Sequence, residues 1–314
     1  MTENVNESLA GYANLAFQSA FAIYVLAFFL FVANFAMTRT KAAERSLVTV
    51  GAPTGPGRVE TVAKRPLGER LGNMGASVLV VGVGAHLGAI VLRGFATHRF
   101  PLGNMYEFVT MACAAAMVVG LIFLRGEKYR QMWAFLLVPV VILMFLAGTI
   151  LYADAAPVVP ALRSYWLPIH VTVVSTGAGV FMVAGVCSLL FLLRTRADRK
   201  GIESIIRRLP DAETLDRLAY RTSIIGFPIF GAGVILGAIW AEAAWGRFWG
   251  WDPKETVSFI TWVIYAAYLH ARATSGWRDT KAAWINVAGF VGMMFNLFII
   301  NMVVSGLHSY AGLS

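Results

Sequence analysis

The chain has 314 residues, of which 58% are hydrophobic and 14% are charged, and its mean hydropathy is +0.67. This composition excludes a pair of ordinary soluble domains, in which charged residues make up about a quarter of the chain. A formal net charge of +9 would suggest nucleic acid as the ligand of a soluble protein. In a membrane protein, however, basic residues collect in cytoplasmic loops, so we expect a multi-pass membrane protein that binds no nucleic acid.

Apolar runs of roughly 20 residues can each cross a hydrocarbon core of about 30 Å as a helix. The sequence contains eight candidates, at about 15–37, 72–92, 105–124, 132–151, 167–193, 222–241, 256–271 and 284–307. They predict an all-α integral membrane protein with about eight transmembrane helices.

The first run differs from a cleaved signal peptide. It follows the acidic residues Glu3 and Glu7 and has no basic leader, so we expect it to be retained as a span. Residues 38–71 are rich in glycine and proline and predict a flexible cytoplasmic connector. The sequence therefore predicts two regions, the first helix with its connector at 1–71 and the main membrane domain at 72–314.

The loop after the fifth run contains one further helix signal. Pro210-Asp211 is typical of a helix start, and Leu215 and Leu218 would face inward while Asp216 stays in water. We expect a short surface helix here, before the sixth span.

The distribution of basic residues predicts the orientation in the membrane. The loops after the first, third, fifth and seventh runs hold 21 of the 26 Lys and Arg residues. The alternate loops hold Arg93, Arg99, Arg163, Arg247 and Lys254. Because Lys and Arg accumulate on the cytoplasmic side, both termini and the loop between runs six and seven are predicted to lie on the outer side.

That loop, Trp245-Gly246-Arg247-Phe248-Trp249-Gly250-Trp251-Asp252-Pro253-Lys254-Glu255, is the most unusual segment of the chain. Any single tryptophan of the region, Trp240 included, could belong to an aromatic belt at the membrane surface. The order Asp252, Pro253, Glu255 is also that of a helix N-terminus. Neither interpretation explains the two glycines, which allow several rings to crowd together on an irregular loop. The segment therefore predicts a platform for a flat aromatic ligand on the outer face.

The histidines fall at two depths. His170 and His308 lie at the outer ends of runs five and eight, whereas His270 lies about 25 Å along a helix from Pro253, near the cytoplasmic end. A membrane histidine is costly and either bonds to a neighbouring helix or binds a ligand. Neutral imidazole is a strong axial ligand for haem iron, so a pair at one face is a candidate haem site. Depth and spacing alone leave open whether the pair converges.

The aromatic loop resembles the signature of the WWD-domain haem-handling family, in particular the CcsA (ResC-type) subunits of system II cytochrome c synthetases. Further blocks are similar to that family over about residues 72–314. They are Thr97 to Glu107, Gly226-Phe227-Pro228, Thr261 to Arg272, and Gly306-Leu307-His308-Ser309-Tyr310. Two residues depart from the family's pattern: Thr97 replaces a glycine and Arg99 replaces a phenylalanine.

The resemblance implies roles for individual residues. His170 and His308 would be the axial ligands of an outer haem, and His270 would ligate an inner haem. The platform against the outer haem would consist of Trp245, Trp249, Trp251 and Asp252. In the family a ResB-like partner supplies the second inner ligand, and we expect the same here because His86, the other intramembrane histidine, lies near the opposite face.

The resemblance also implies the reaction. The chain would carry haem b across a bacterial plasma membrane and present it to the CXXCH segment of apocytochrome c for thioether formation, in complex with the ResB-like subunit. A thioredoxin-like protein would keep the thiols reduced, and no side chain of this chain would act as a nucleophile. Two alternatives stay open: a system I haem carrier that delivers to a chaperone, and a membrane b-type cytochrome.

Overall fold

A computed structural model describes residues 5–37, 66–157, 163–201 and 205–308, and within these ranges the chain is helical with no β-strand. The helices are α1 (Glu7–Met37), α2 (Leu67–Thr97), α3 (Met105–Phe123), α4 (Met132–Thr149), α5 (Trp166–Arg199), α6 (Ala212–Trp245), α7 (Pro253–Ala273) and α8 (Thr280–Met302). Short 3₁₀ turns occupy Glu127–Tyr129 and Ile205–Arg208. Each predicted span corresponds to one helix, so the all-α class is confirmed.

Seven of these eight helices are long and apolar enough to cross a membrane. The exception is α7, which has 21 residues but carries Lys254 and Glu255 in its first turn and His270 and Arg272 in its last. Its polar residues at both ends lower its hydropathy. The chain is thus a multi-span membrane protein, and α7 is distinguished by composition rather than by length.

Two predicted boundaries were wrong. The helix α2 begins at Leu67, inside the predicted connector, whose remaining residues 38–65 lie outside the described part of the chain. The predicted surface helix is not separate, because it forms the first turns of α6, in which Leu215 and Leu218 are buried as expected. The segment from Ala212 to Ile225 has no glycine or proline to stop the helix, so it continues into the span.

The helices pack in pairs of chain neighbours, and α5 contacts several of the others. Chain neighbours α1 and α2, α5 and α6, and α7 and α8 form extensive pairs, and α5 also packs against α3 and α8. Small residues permit these close approaches: a Cβ on Gly177 would lie 2.8 Å from Cα of Phe230, and one on Gly179 would lie 2.6 Å from N of Ala116. Close backbone approach through glycine is the usual way membrane helices gain packing contacts. The fifth helix is therefore held firmly at the centre.

The last helix ends earlier than its apolar run. The run extends to about residue 307, but α8 ends at Met302 and the following residues leave the helix. Leu307 then donates its backbone N–H to Oδ1 of Asp252 at 2.8 Å. This return of the chain places the residues after α8 against the start of α7.

Candidate haem site

A cavity lies at the end of the bundle where α5 and α7 begin and α6 and α8 end. Most of its wall is apolar, and four of the residues predicted from the sequence line it, namely His170, Trp245, Trp249 and His308. The polar side chains in its wall are those of Asn104, Lys254, Glu255, Ser258, Asn296 and Asn301. An apolar cavity with a few convergent polar groups is the usual form of a small-molecule site.

Two glycines of α6 hold His170 in place. The Nδ1 atom of His170 lies 2.8 Å from the carbonyl oxygen of Gly233. A carbonyl oxygen can only accept, so Nδ1 carries the proton and Nε2 carries the lone pair. A Cβ on Gly237 would lie 2.7 Å from Cε1 of His170, so the imidazole occupies space that any other residue would fill. The packing of α5 on α6 thereby sets both the position and the tautomer of His170.

Trp240 joins His170 and His308. Its side chain is 1% exposed, and its ring is parallel to His170 at a centroid distance of 6.0 Å and edge-on to His308 at 5.9 Å. Trp245 contacts both Trp240, at 4.8 Å, and His308, at 5.2 Å. His170 and His308, which lie 138 residues apart in the chain, therefore converge on one aromatic cluster.

Asp252 orients His308. Its Oδ2 lies 2.8 Å from Nδ1 of His308, while its Oδ1 accepts the Leu307 N–H. Although burial raises the pKa of Asp252, the hydrogen bonds from His308 and the Leu307 backbone outweigh this effect and lower it to about 2. The carboxylate is thus ionised at neutral pH and accepts the Nδ1 proton. Burial lowers the pKa of His308, and the bond to Asp252 offsets this only in part, so the ring is neutral with its lone pair on Nε2.

The predicted helix start at Asp252 is confirmed. Asp252 is the N-cap of α7 and Pro253 follows at the first helical position. Glu255 completes a capping box by accepting the Asp252 N–H at 3.1 Å. The same carboxylate accepts the Gly250 N–H at 2.8 Å and forms an ion pair with Arg247 at 3.2 Å. Glu255 therefore fixes the loop that precedes α7.

The predicted aromatic platform is only partly assembled in this cavity. Trp249 lines the cavity and contacts Trp251 edge-on at 5.7 Å. Trp251 itself is 67% exposed and is not part of the lining. The φ of Trp251 is 57°, which turns the chain sharply just before Asp252. The side chain of Trp249 therefore lines the cavity, whereas that of Trp251 is directed away from it. The cavity is lined by Trp240, which was not among the residues predicted for the platform, and not by Trp251.

His270 lies away from this cluster. It is 18 residues after Asp252, about 27 Å along a helix, at the other end of α7. Its side chain is exposed, on the same face of α7 as the exposed Ile260 and Val263. A single haem cannot reach His270 together with His170 and His308.

The block from Thr97 to Glu107 supports the cavity wall. The carboxylate of Glu107 is buried and pairs with Arg93 at 2.9 Å and Arg99 at 2.8 Å, and it accepts the Gly103 N–H at 2.7 Å. Arg99, which departs from the family pattern, also donates to the carbonyl of Ala156. These bonds fix the turn that brings Leu102, Gly103 and Asn104 into the lining.

The sequence profile of the family described as "Cytochrome C assembly protein" matches residues 102–308, which include the whole of this cavity. The chain belongs to the cytochrome c assembly protein family. A protein from Gloeobacter violaceus, "Cytochrome c biogenesis protein CcsA", is 33% identical over 79% of this chain and 88% of its own length. A protein of the same name from Mesostigma viride is 35% identical over 70% of this chain and 80% of its own length.

A solved structure, "Cytochrome c Heme Lyase CcmF", matches with a TM-score of 0.65 and 16% identity. The match covers 97% of this chain and 49% of that chain, so this chain spans about half the length of that protein. At this identity the likeness shows a common fold. Membership in the cytochrome c assembly family gives the chain a role in cytochrome c biogenesis, with haem as the group that such assembly requires.

Proposed function

We propose that this chain carries haem across the membrane and presents it at an outer site, ligated by His170 and His308, for covalent attachment to apocytochrome c. One observation carries the proposal: the two histidines converge on the Trp240 and Trp245 rings in one apolar cavity. Haem here is the substrate, and the chemistry it brings is iron coordination and two vinyl groups.

The donor set fits haem iron. A ligating histidine ordinarily donates its other ring N–H to a carbonyl or a carboxylate, which fixes the ring and raises its basicity. Both arrangements occur here, with Gly233 for His170 and Asp252 for His308. The two imidazoles therefore offer the same nitrogen, Nε2, to a metal. The tryptophans supply flat apolar surfaces that suit a porphyrin ring.

The inner site rests on different support. His270 is exposed on a face of α7 that also exposes Ile260 and Val263. An exposed histidine beside an apolar surface suits a site completed by another membrane protein, for which we propose a ResB-like subunit. Haem would then pass from His270 to the outer cavity, and a synthetase activity would belong to the complex.

In the proposed reaction, each cysteine thiol of a CXXCH segment adds across one vinyl group of haem b. The S–H bond and the vinyl π bond break, a C–S bond forms, and the proton ends on the neighbouring carbon, so no oxidant or leaving group is needed. This chain contributes proximity and orientation, which for well-placed groups are worth about 7–11 kcal/mol. The incoming histidine of CXXCH replaces His170 or His308. A thioredoxin-like protein would keep the thiols of the apocytochrome reduced.

The orientation and location belong to the same proposal. The bias of basic residues supports outer termini and an outer aromatic loop. The membrane in this proposal is the plasma membrane of a bacterium. The haem-handling domain would be 72–314, preceded by the first helix and its connector at 1–71.

The test is co-expression of the full chain with its ResB-like partner and an apocytochrome c, with covalent haem scored by in-gel peroxidase stain. We expect His170→Ala with His308→Ala to abolish maturation, and His270→Ala to lower the haem content of the purified complex. Full maturation by the double variant would refute the outer site. Rapid quinol-driven redox cycling with unchanged maturation would favour the b-type cytochrome instead.

A further inference from the structure

Lys254 brings a basic side chain into the wall of the outer cavity. It is the second residue of α7, and its side chain contacts residues of two other helices. Its Nζ donates to Oδ1 of Asn301 on α8 at 2.6 Å and lies 5.6 Å from the ring centroid of Phe108 on α3. The ammonium group is thus held inside the cavity rather than extended into solvent.

This amino group forms no ion pair in the described part of the chain, although the Asp252 carboxylate acts on it from farther away. None of the ion pairs formed by the described residues includes Lys254, so no carboxylate oxygen there lies within 4.0 Å of Nζ. The two nearby acids are engaged elsewhere: Asp252 with His308 and Glu255 with Arg247 and the loop amides. An ammonium group has three donors, and Asn301 satisfies one of them.

A second polar group in the same wall also lacks a partner. Asn296 is 7% exposed, donates its Nδ2 to Ser258 at 2.7 Å, and has no hydrogen-bond partner for Oδ1 among the described residues. Ser258 lies one turn below Lys254 on α7, and both line the cavity. A buried polar group without a partner costs about 1–3 kcal/mol, so such groups usually mark a position where water or a ligand binds.

We infer that Lys254 is the anchor for a carboxylate of the substrate, namely a haem propionate, in the outer cavity. The inference rests on the proposed function, because haem is the ligand. A charged carboxylate would form the ion pair that Lys254 lacks, and the neighbouring Ser258 and Asn296 side chains would accommodate it and its bound water. The rest of the wall is apolar and suits the porphyrin.

This anchor would also set which edge of the ring faces the apocytochrome. The propionates and the vinyl groups occupy opposite edges of a haem b macrocycle. Fixing the propionate edge at the start of α7 therefore turns the vinyl edge away from α7. Lys254 is accordingly a positioning residue for attachment, and it does not touch the reacting vinyl carbons.

The experiment compares haem with haem dimethyl ester, in which both carboxylates are blocked. Both are titrated into the full-length chain in nanodiscs, in a His270→Ala background that removes the proposed inner ligand, and binding is followed by absorbance. We expect the unmodified cavity to prefer haem over the ester. We expect Lys254→Gln to reduce that preference by about 10- to 100-fold, the usual worth of a hydrogen bond to a charged group. Lys254→Arg should retain most of it.

Asn301→Ala is the matched control, because it removes the contact to Lys254 but keeps the charge. If Lys254 only joined α7 to α8, then both Lys254→Gln and Asn301→Ala would weaken the two ligands equally and leave their ratio unchanged, which would overturn the inference. Failure of the proposed function gives a different result. In that case the bis-histidine absorbance spectrum would persist after His170→Ala with His308→Ala, whatever residue occupies position 254.

Discussion

Asp252→Asn provides a sharp test of how the outer site is built. The wild-type carboxylate accepts from both the Leu307 N–H and Nδ1–H of His308, each at 2.8 Å. An asparagine has one oxygen, so its NH₂ group must face either His308 itself or the N–H of Leu307, the residue that holds the chain next to His308, and either loss disturbs the His308 ring. Asparagine and aspartate are about equal as N-caps, so α7 itself should be unaffected.

The expected size of the effect follows from two separate estimates. Loss of a hydrogen bond to a charged group costs about 1.5–3 kcal/mol. Loss of the group that orients a ligating histidine costs about 10- to 100-fold in metal affinity, which at 1.4 kcal/mol per tenfold is about the same energy. We therefore expect Asp252→Asn to weaken haem binding at the outer site about 10- to 100-fold. The thermal midpoint of the haem-free protein should change little.

The assay is titration of full-length protein in nanodiscs with reduced haem, followed by absorbance, in the His270→Ala background. Asp211→Asn is the matched control, because Asp211 is also an N-cap, accepting the Thr214 N–H at 2.7 Å at the start of α6. That variant should bind haem normally. Wild-type affinity in Asp252→Asn would refute the claim that Asp252 orients His308.

Three further predictions concern the same cavity. Gly237→Ala should lower outer-site haem affinity at least about tenfold, because its Cβ would lie 2.7 Å from Cε1 of His170. Gly84→Ala is the control: no atom lies within 4 Å of an added Cβ there, so it should have no effect in the same titration. Trp245→Ala should weaken haem binding about tenfold, because its contacts with Trp240 and His308 are lost. Trp251 is exposed, so Trp251→Ala should change haem affinity by no more than about twofold. Equal losses of affinity in the two variants would show that Trp251 also contacts the haem. On acidification, haem affinity should stay constant down to the ordinary histidine pKa of about 6.5 and fall only below it, because burial lowers the pKa of His308. Asp252 stays ionised down to about pH 2 and so keeps orienting the ring. In the haem-free protein the same lowered pKa of His308 makes its contribution to folding stability constant above about pH 6.5 and smaller below it. Loss of affinity centred above pH 7 would contradict this assignment.

The features that the sequence predicted well depend on local patterns. Apolar runs predicted every helix, because the length of a span is set by the membrane. The start of α7 at Asp252 was predicted because capping involves residues only three apart. The positions of His170 near the start of α5 and of His270 near the end of α7 followed in the same way, from helical rise along single segments.

The features that could not be predicted depend on contacts between helices. Gly233 and Gly237 hold His170 only because α5 packs closely on α6, and no local pattern pairs those residues. The sequence pattern favours Trp240 only as a residue of the membrane surface, although its position five residues before Trp245, in a region of many tryptophans, is a usable signal. The outward direction of Trp251 follows from a single backbone angle, φ 57°, in a residue that rarely adopts positive φ. The role of Lys254 required knowledge that its neighbouring acids were already paired.

The two proposed haem sites differ in whether hydrogen bonds from this chain orient the ligating histidines. At the outer end, Gly233 and Asp252 each orient one histidine. At the inner end, no described residue forms a hydrogen bond to the ring of His270, which is exposed. An oriented histidine binds a metal about 10- to 100-fold more tightly than one without its hydrogen-bonded neighbour. If haem passes between these sites as proposed, the outer site is the tighter one by virtue of its geometry, and transfer toward the attachment site is favourable at equilibrium unless the partner orients His270 equally well.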